Sequence, residues 1–290
     1  MSQQARGDEM TAVPIPADAR SGARPSAPTA RTAGVTATVS AVAARTLRRY
    51  MRSPQLLVTS VVGGAMFVIL FRLIFGGSIR FGTVPYVDFL IPGMVMTSVL
   101  ITGTGNAVDV AEDSEQGFSD RLRSLPAPRL ALLAGRAVGD SCVVAWAAAV
   151  TAALGFALGF RLHDTLMQAL LAFGLCLVCG FAFLWIFICV GLVSRNAQAA
   201  QGLSMLAYPV IFVSSAYVRV NTLPGWMQPV AQHQPVTVMC NAVRSLALGD
   251  PALAGVGHTT TYWALLSLAW AAGITLVFAP LAATLYRRSS

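Results

Sequence analysis

The sequence contains no lysine; all twenty of its basic residues are arginine. A Walker-type phosphate loop needs a lysine to reach the β- and γ-phosphates, so this chain holds no such nucleotide site. Charge of either sign is scarce, at 11% of residues against 56% hydrophobic, and the mean hydropathy is +0.66. That balance lies outside the soluble globular range. Histidine occurs three times, as His163, His233 and His258, without clustered acids, and neither H-E-x-x-H nor G-x-S-x-G is present. A membrane-embedded enzyme would need a metal cluster or a nucleophile–base pair that these residues do not assemble. Of five cysteines, Cys142, Cys176, Cys179 and Cys189 fall inside apolar runs and Cys240 stands alone. The Cys176-x-x-Cys179 spacing reads as two small residues on a helix face rather than a redox pair.

What the chain does have is long apolar runs punctuated by arginine. Residues 1–33, rich in Ala, Arg, Pro, Ser and Thr, read as a disordered tail. They are not expected to be a cleavable signal peptide, because the first apolar run begins more than fifty residues in. Residues 34–53 read as an interfacial amphipathic helix. On a helical wheel Val35, Val39, Val42, Leu47, Tyr50 and Met51 take one side and Arg45, Arg48, Arg49 and Arg52 the other. Such a helix suits an anionic membrane surface better than packing on its own protein, because a span follows at once. Residues 54–288 form the membrane part, with six expected spans: 55–75, 89–108, 141–160, 165–194, 196–218 and 259–286. Twenty apolar residues at 1.5 Å rise match a hydrocarbon core of roughly 30 Å.

Arginine placement orients the spans. With the N-terminus inside, the inner segments hold Arg45, Arg48, Arg49, Arg52, Arg121, Arg123, Arg129, Arg136, Arg195, Arg287 and Arg288, against Arg72, Arg80, Arg161, Arg219 and Arg244 outside. Both termini are therefore expected in the cytoplasm. The excess of arginine reads as a topology determinant, and no nucleic-acid partner is expected.

Two connections carry more than loop composition. The stretch 109–140 lies between uncharged runs and is the charge-dense segment of the membrane part. Its first half is acidic (Glu112, Asp113, Glu115, Asp120) and its second basic (Arg121, Arg123, Arg129, Arg136). Pro126 and Pro128 force an extended step after a short helix over 112–125, expected to lie at the membrane surface and face a partner. Arg136 and Asp140, at i,i+4 spacing, read as a structural pair. Across the membrane, 219–258 alternates Pro breaks with apolar stretches, giving two short helices around 224–232 and 235–248. They either dip back into the outer leaflet or form an extracellular cap; irregular backbone at membrane depth must be covered by protein or line a wet cavity.

The run Gly117-Phe-Ser-Asp120-Arg121-Leu122-Arg123-Ser124-Leu125-Pro126, continued by Leu133-Ala-Gly135-Arg136 and Asp140, resembles the cytoplasmic hairpin of ABC-2 type transporter permeases, nearest the daunorubicin-resistance (Drr-like) branch of drug exporters. Leu223-Pro224-Gly-Trp226-Met-Gln228-Pro229, Gln234-Pro235, Ala242-Val-Arg244 and Gly249 are similar to the same family's segment before the last span. The resemblance covers roughly residues 35–288. It implies an all-α integral membrane protein with six transmembrane helices, an N-terminal amphipathic helix, a cytoplasmic coupling helix and extracellular re-entrant helices. It further implies that Glu115, Gly117, Asp120, Arg121, Arg123 and Pro126 meet an ATP-binding cassette subunit. Trp226, Pro229, Pro235 and Arg244 would belong to the re-entrant part. No cofactor is expected in this chain, since ATP with Mg²⁺ would sit in the partner subunit.

The function implied is a permease subunit, not itself an enzyme, in a bacterial cytoplasmic membrane. It would pair with itself or a sister permease and move a hydrophobic or amphiphilic compound outward through the bilayer. A secondary, ion-coupled transporter is the alternative; it would usually place acids or Gly/Pro breaks mid-span in both halves of an inverted repeat, whereas Pro92 and Pro209 stand without a mid-span acid.

Overall fold

The computed structural model describes residues 35–75, 80–81, 84–116, 129–163, 165–194, 196–249 and 257–288. The expected tail, and the Gly117–Pro128 part of the charged hairpin, lie outside the described residues.

Helix α1 spans Val35–Arg52 and α2 spans Pro54–Phe75. Ser53 N–H donates to the Tyr50 carbonyl at 3.1 Å, closing α1. Pro54 then opens α2 at a position where a missing N–H costs nothing. A two-residue antiparallel ladder follows, with β1 (Arg80–Phe81) against β2 (Val84–Pro85), in register Arg80 to Pro85 and Phe81 to Val84. Among the described residues everything else regular is helical.

Helix α3 runs from Tyr86 to Glu115, thirty residues and about 45 Å at helical rise, longer than a hydrocarbon core. Because no breaker separates Asp109 from Gln116, the acidic half of the hairpin continues this helix. Glu112, Asp113 and Glu115 are thus its last turns, not the start of a separate surface helix as expected. Helix α4 (Arg129–Ala157) likewise begins twelve residues before the expected span, right after Pro128. Helix α5 (Leu166–Val193) is capped by Thr165, whose hydroxyl accepts from Gln168 N–H at 3.4 Å.

The expected span 196–218 is not one helix. Asn196 caps α6 (Ala197–Ser204) by accepting from Ala199 N–H at 2.7 Å, and a turn at Met205–Leu206 separates it from α7 (Ala207–Phe212). Pro209 has no N–H to offer the Met205 carbonyl, and that carbonyl instead accepts from Tyr208 N–H in a tighter i,i+3 bond of 3.1 Å. A 3₁₀ turn (Val220–Thr222) leads to α8 (Gln228–His233) and α9 (Pro235–Leu248), close to the two short helices the Pro spacing predicts. Helix α10 (Thr260–Arg288) closes the chain.

Among the described residues four helices, α3, α4, α5 and α10, are long and apolar enough to cross a membrane. Helix α3 is the axis: it packs against α2, α4, α5, α6 and α9, and its apolar window is 94% buried. The window of α10 is only 17% buried, with Leu265, Leu276 and Val277 turned outward. The larger core gathers Leu90, Met96 and Leu100 of α3, Leu184 of α5 and Met239 of α9. A second joins Val110, Leu133, Trp185, Ile188 and Tyr286 where α3, α4, α5 and α10 meet.

Close approach between helices is bought with glycine. A Cβ on Gly93 would fall 2.9 Å from the Ala216 Cα, so α3 lies directly on the backbone that follows α7. The Gly135-x-x-x-Gly139 face of α4 receives Val39, Val42 and Thr46 of α1. This corrects the two-sided wheel expected for α1. Thr38 and Tyr50 are buried, Val39, Val42 and Thr46 half-buried, while Leu47 and Met51 stay exposed beside Arg48 and Arg52. The helix packs on its own protein along one stripe and leaves a mixed apolar and basic stripe outside.

Candidate functional site

The last turn of α1, the last turns of α3 and the first turns of α4 meet in a network of charge. Arg49 donates to Asp109 at 3.0 Å and lies 3.9 Å from Asp113; Tyr50 donates to the other Asp109 oxygen at 2.8 Å. Arg136 donates to Asp113, and its Nε is 3.4 Å from Asp140. The latter is a charge contact rather than an aligned hydrogen bond. Burial, with the Asp140 and Asp109 carboxylates, pushes the Tyr50 phenol up from its ordinary value, so it stays a donor to Asp109. Burial lowers the Arg45 guanidinium against the opposing pull of Asp113. Three arginines (Arg45, Arg49, Arg136) and two aspartates (Asp113, Asp140) thus line one recess with Leu192 and Tyr286, and Asp109 holds Arg49 beside it.

This arrangement fixes the stem of the charged hairpin. The expected Arg136–Asp140 pair is present, but Arg136 also reaches across to α3, which i,i+4 spacing alone does not reveal. Glu115 is exposed at the end of α3. Gly117, Asp120, Arg121, Arg123 and Pro126 lie outside the described residues. Arg49 and Tyr50 were missed as site residues because the wheel placed them only by polarity. The Gly135-x-x-x-Gly139 spacing was the available signal for a helix docking there.

At the opposite end of α3, Arg244 of α9 is buried, 3% exposed. Its Nε donates to the Phe89 carbonyl at 3.0 Å, Nη1 to the Asn241 side-chain oxygen at 3.1 Å and Nη2 to the Ser215 carbonyl at 2.8 Å. Its guanidinium carbon sits 3.7 Å from the centroid of the Phe89 ring. Ser215 is held again by Thr237, whose hydroxyl accepts from Ser215 N–H at 3.1 Å, and by a hydroxyl bond to Asn241 at 2.9 Å. The non-helical stretch after α7 is thereby satisfied by α9, as buried irregular backbone must be. Pro235 opens α9, Pro229 lies in the first turn of α8, and Trp226 is exposed. Of these four residues only Arg244 enters this polar knot.

Nearby, Asp88 accepts from Arg161 N–H at 3.1 Å and lies 3.7 Å from His163 Nε2. His163, whose side chain is 46% exposed, thus sits beside the first turn of α3. No group of His, Cys, Asp and Glu among the described residues could hold a metal ion.

The ABC-2 type transporter family model matches residues 37–248. The chain is similar to the daunorubicin resistance ABC transporter permease protein DrrB1 of Streptomyces coeruleorubidus, at 32% identity over 85% of this chain and 84% of that one. It is 28% identical to a probable doxorubicin resistance ABC transporter permease protein, DrrC, of Mycobacterium tuberculosis, over 85% of this chain and 87% of the relative. A probable multidrug ABC transporter permease of Escherichia coli, YbhR, matches at 26% identity over 58% of this chain and 46% of its own length.

Proposed function

The chain belongs to the ABC-2 type transporter family, and on that premise we propose how it works. It is the membrane permease subunit of an ATP-binding-cassette exporter, moving a hydrophobic or amphiphilic compound out of the cell. The observation that carries this reading is the family match over residues 37–248, laid on a bundle with four long apolar helices. ATP hydrolysis belongs to a separate cassette subunit, in keeping with a chain that has no lysine for a phosphate loop. Two permease chains, alike or different, pair in the bacterial cytoplasmic membrane.

In this reading α2 and the broken pair α6–α7 complete six spans, with both termini cytoplasmic. The segment from Glu115 through Gly117, Asp120, Arg121 and Arg123 to Pro126 docks on the cassette subunit. The network of Arg49, Asp109, Asp113, Arg136 and Asp140 supports that assignment, because it braces both helices that enter the segment. A force applied there would reach the bundle instead of being lost in a slack connector. Helices α8 and α9 are the re-entrant pair. An ion-coupled mechanism finds less support, since the buried carboxylates Asp88 and Asp140 each already have partners.

The experiment is substrate efflux and cassette co-purification for Asp120→Arg against wild type at equal membrane abundance. Loss of both, with insertion intact, is expected, because truncating or reversing one member of an interfacial charge pair costs roughly 2–5 kcal/mol. Unchanged efflux with unchanged co-purification would make the hairpin a mere connector.

A further inference from the structure

We infer that the outer cavity beside Arg244 is a binding site for the acidic head group of an amphiphile. The inference rests on the exporter reading for what the ligand is for, but not for whether it binds. The cavity holds about 460 Å³, within the range of small-molecule sites. Among its described lining residues Arg219 and Arg244 are cationic and none is Asp or Glu. No carboxylate among the described residues lies within ion-pair distance of Arg244, whose three bonds go to two backbone carbonyls and one amide oxygen. A buried guanidinium has five N–H donors, so two remain beyond the three that are used. Among the described residues the charge meets only the Phe89 ring and these dipoles, whereas buried charges are ordinarily paired.

A second observation points the same way. Trp263 is buried and lines the cavity, and its indole N–H has no hydrogen-bond partner. Indole nitrogen is a donor only, so it too calls for an acceptor. A phosphate or carboxylate head beside Arg244 and Trp263 would supply negative charge to the one and lone pairs to the other.

The rest of the wall suits the remainder of an amphiphile. His258 stacks on Tyr262 at 4.1 Å between ring centroids, and Trp263 meets both edge-on. Leu266 and Trp270, one helical turn and two turns on, continue an apolar face along α10. Aromatic walls can also hold a cation. Here buried Arg244, with no acid among the described lining residues, sets the potential against one.

The test uses the full-length chain in nanodiscs of zwitterionic lipid, without ATP, probed with dodecyl phosphate, dodecyltrimethylammonium and inorganic phosphate, with empty nanodiscs subtracted. Dodecyl phosphate is expected to bind at least about tenfold more tightly than the ammonium of the same chain length. Arg244→Gln is expected to erase that preference. Trp263→Phe, which keeps the ring and loses the N–H, should weaken the phosphate several-fold and leave the ammonium unchanged, guarding against a misfolded Arg244 variant. Equal affinity of anion and cation overturns the proposal, as does a preference that survives both substitutions. Inorganic phosphate binding as tightly as dodecyl phosphate would overturn the amphiphile in favour of a free-anion site. An anion preference without any efflux by the chain and its cassette subunit would count against the exporter reading alone; efflux retained without the anion preference would count against this site alone.

Discussion

Replacing Arg136 with Met tests whether the inner network is a brace or a decoration. Methionine keeps the length and most of the volume of the side chain and deletes its charge. Asp140, whose side chain is 1% exposed, then has no cation within 4 Å among the described residues, while Asp113 keeps Arg49 at 3.9 Å. Breaking a buried pair by removing one partner costs about 3–5 kcal/mol, because the remaining charge is left desolvated and uncompensated. Arg136 is itself 16% exposed, so some water reaches the pair and the lower half of that range is expected. At 1.4 kcal/mol per decade, the unfolding equilibrium should shift by roughly two to three powers of ten. The assay is reversible unfolding of the purified chain in mixed micelles. The double variant Arg136→Met/Asp140→Leu should recover most of the loss, since buried ion pairs exchanged for apolar residues are often neutral or better. A single variant within about 0.5 kcal/mol of wild type would refute the reasoning. So would a double variant no better than the sum of the two singles.

Gly135→Val should separate α1 from α4, since even a Cβ there would lie 3.1 Å from the Val39 Cα; about 1–3 kcal/mol of overpacking is expected, read as protease access to the α1–α2 junction. Gly93→Ala should lower thermal stability because it meets Ala216 backbone, whereas Gly105→Ala, with nothing within 4 Å, should leave it unchanged or raise it by up to about 1 kcal/mol through helix propensity. Single cysteines at Ser78 and Gly255 should react with an impermeant thiol reagent from outside intact cells and one at Ser119 should not; labelling of Ser119 from outside would invert the topology.

The elements that hydropathy and proline can announce were legible. Long apolar runs placed α3, α4, α5 and α10, and Pro235 placed the start of α9. What stayed hidden has a common physical cause: side-chain polarity does not say where a helix stops inside charged sequence. Asp109 to Glu115 looks like a loop by charge, yet nothing in it breaks a helix, and its aspartates find arginines on α1 and α4. Pro209 was visible in the sequence, but whether a proline kinks a span or divides it depends on what satisfies the freed carbonyls. Here the Met205 carbonyl takes an i,i+3 bond and the chain beyond leans on Thr237, Asn241 and Arg244, far along the sequence. The candidate site divides the same way. The Arg136–Asp140 pair was readable at fixed spacing; the bonds of Arg49 and Tyr50 to Asp109 and of Arg244 to the Phe89 and Ser215 carbonyls were not, because they join residues 29 to 155 positions apart.

One helix links both ends of the molecule. Asp109 and Asp113 of α3 are held by α1 and α4 near its C-terminus, and the Phe89 carbonyl of the same helix accepts from Arg244 near its N-terminus. The 24 residues from Phe89 to Asp113 span about 36 Å at helical rise. Between them α3 is buried in the bundle almost throughout, with Gly93 seated on the Ala216 backbone. A packed helix of that kind bends little and cannot slide without repacking its neighbours. Any displacement imposed at Glu115 would therefore move the inner network and the Arg244 knot together, or break one of them. The fold thus supplies a rigid member between the face where a partner would push and the cavity where an amphiphile would leave. Coupling along it needs no chain of intermediate side-chain switches, only two anchored ends.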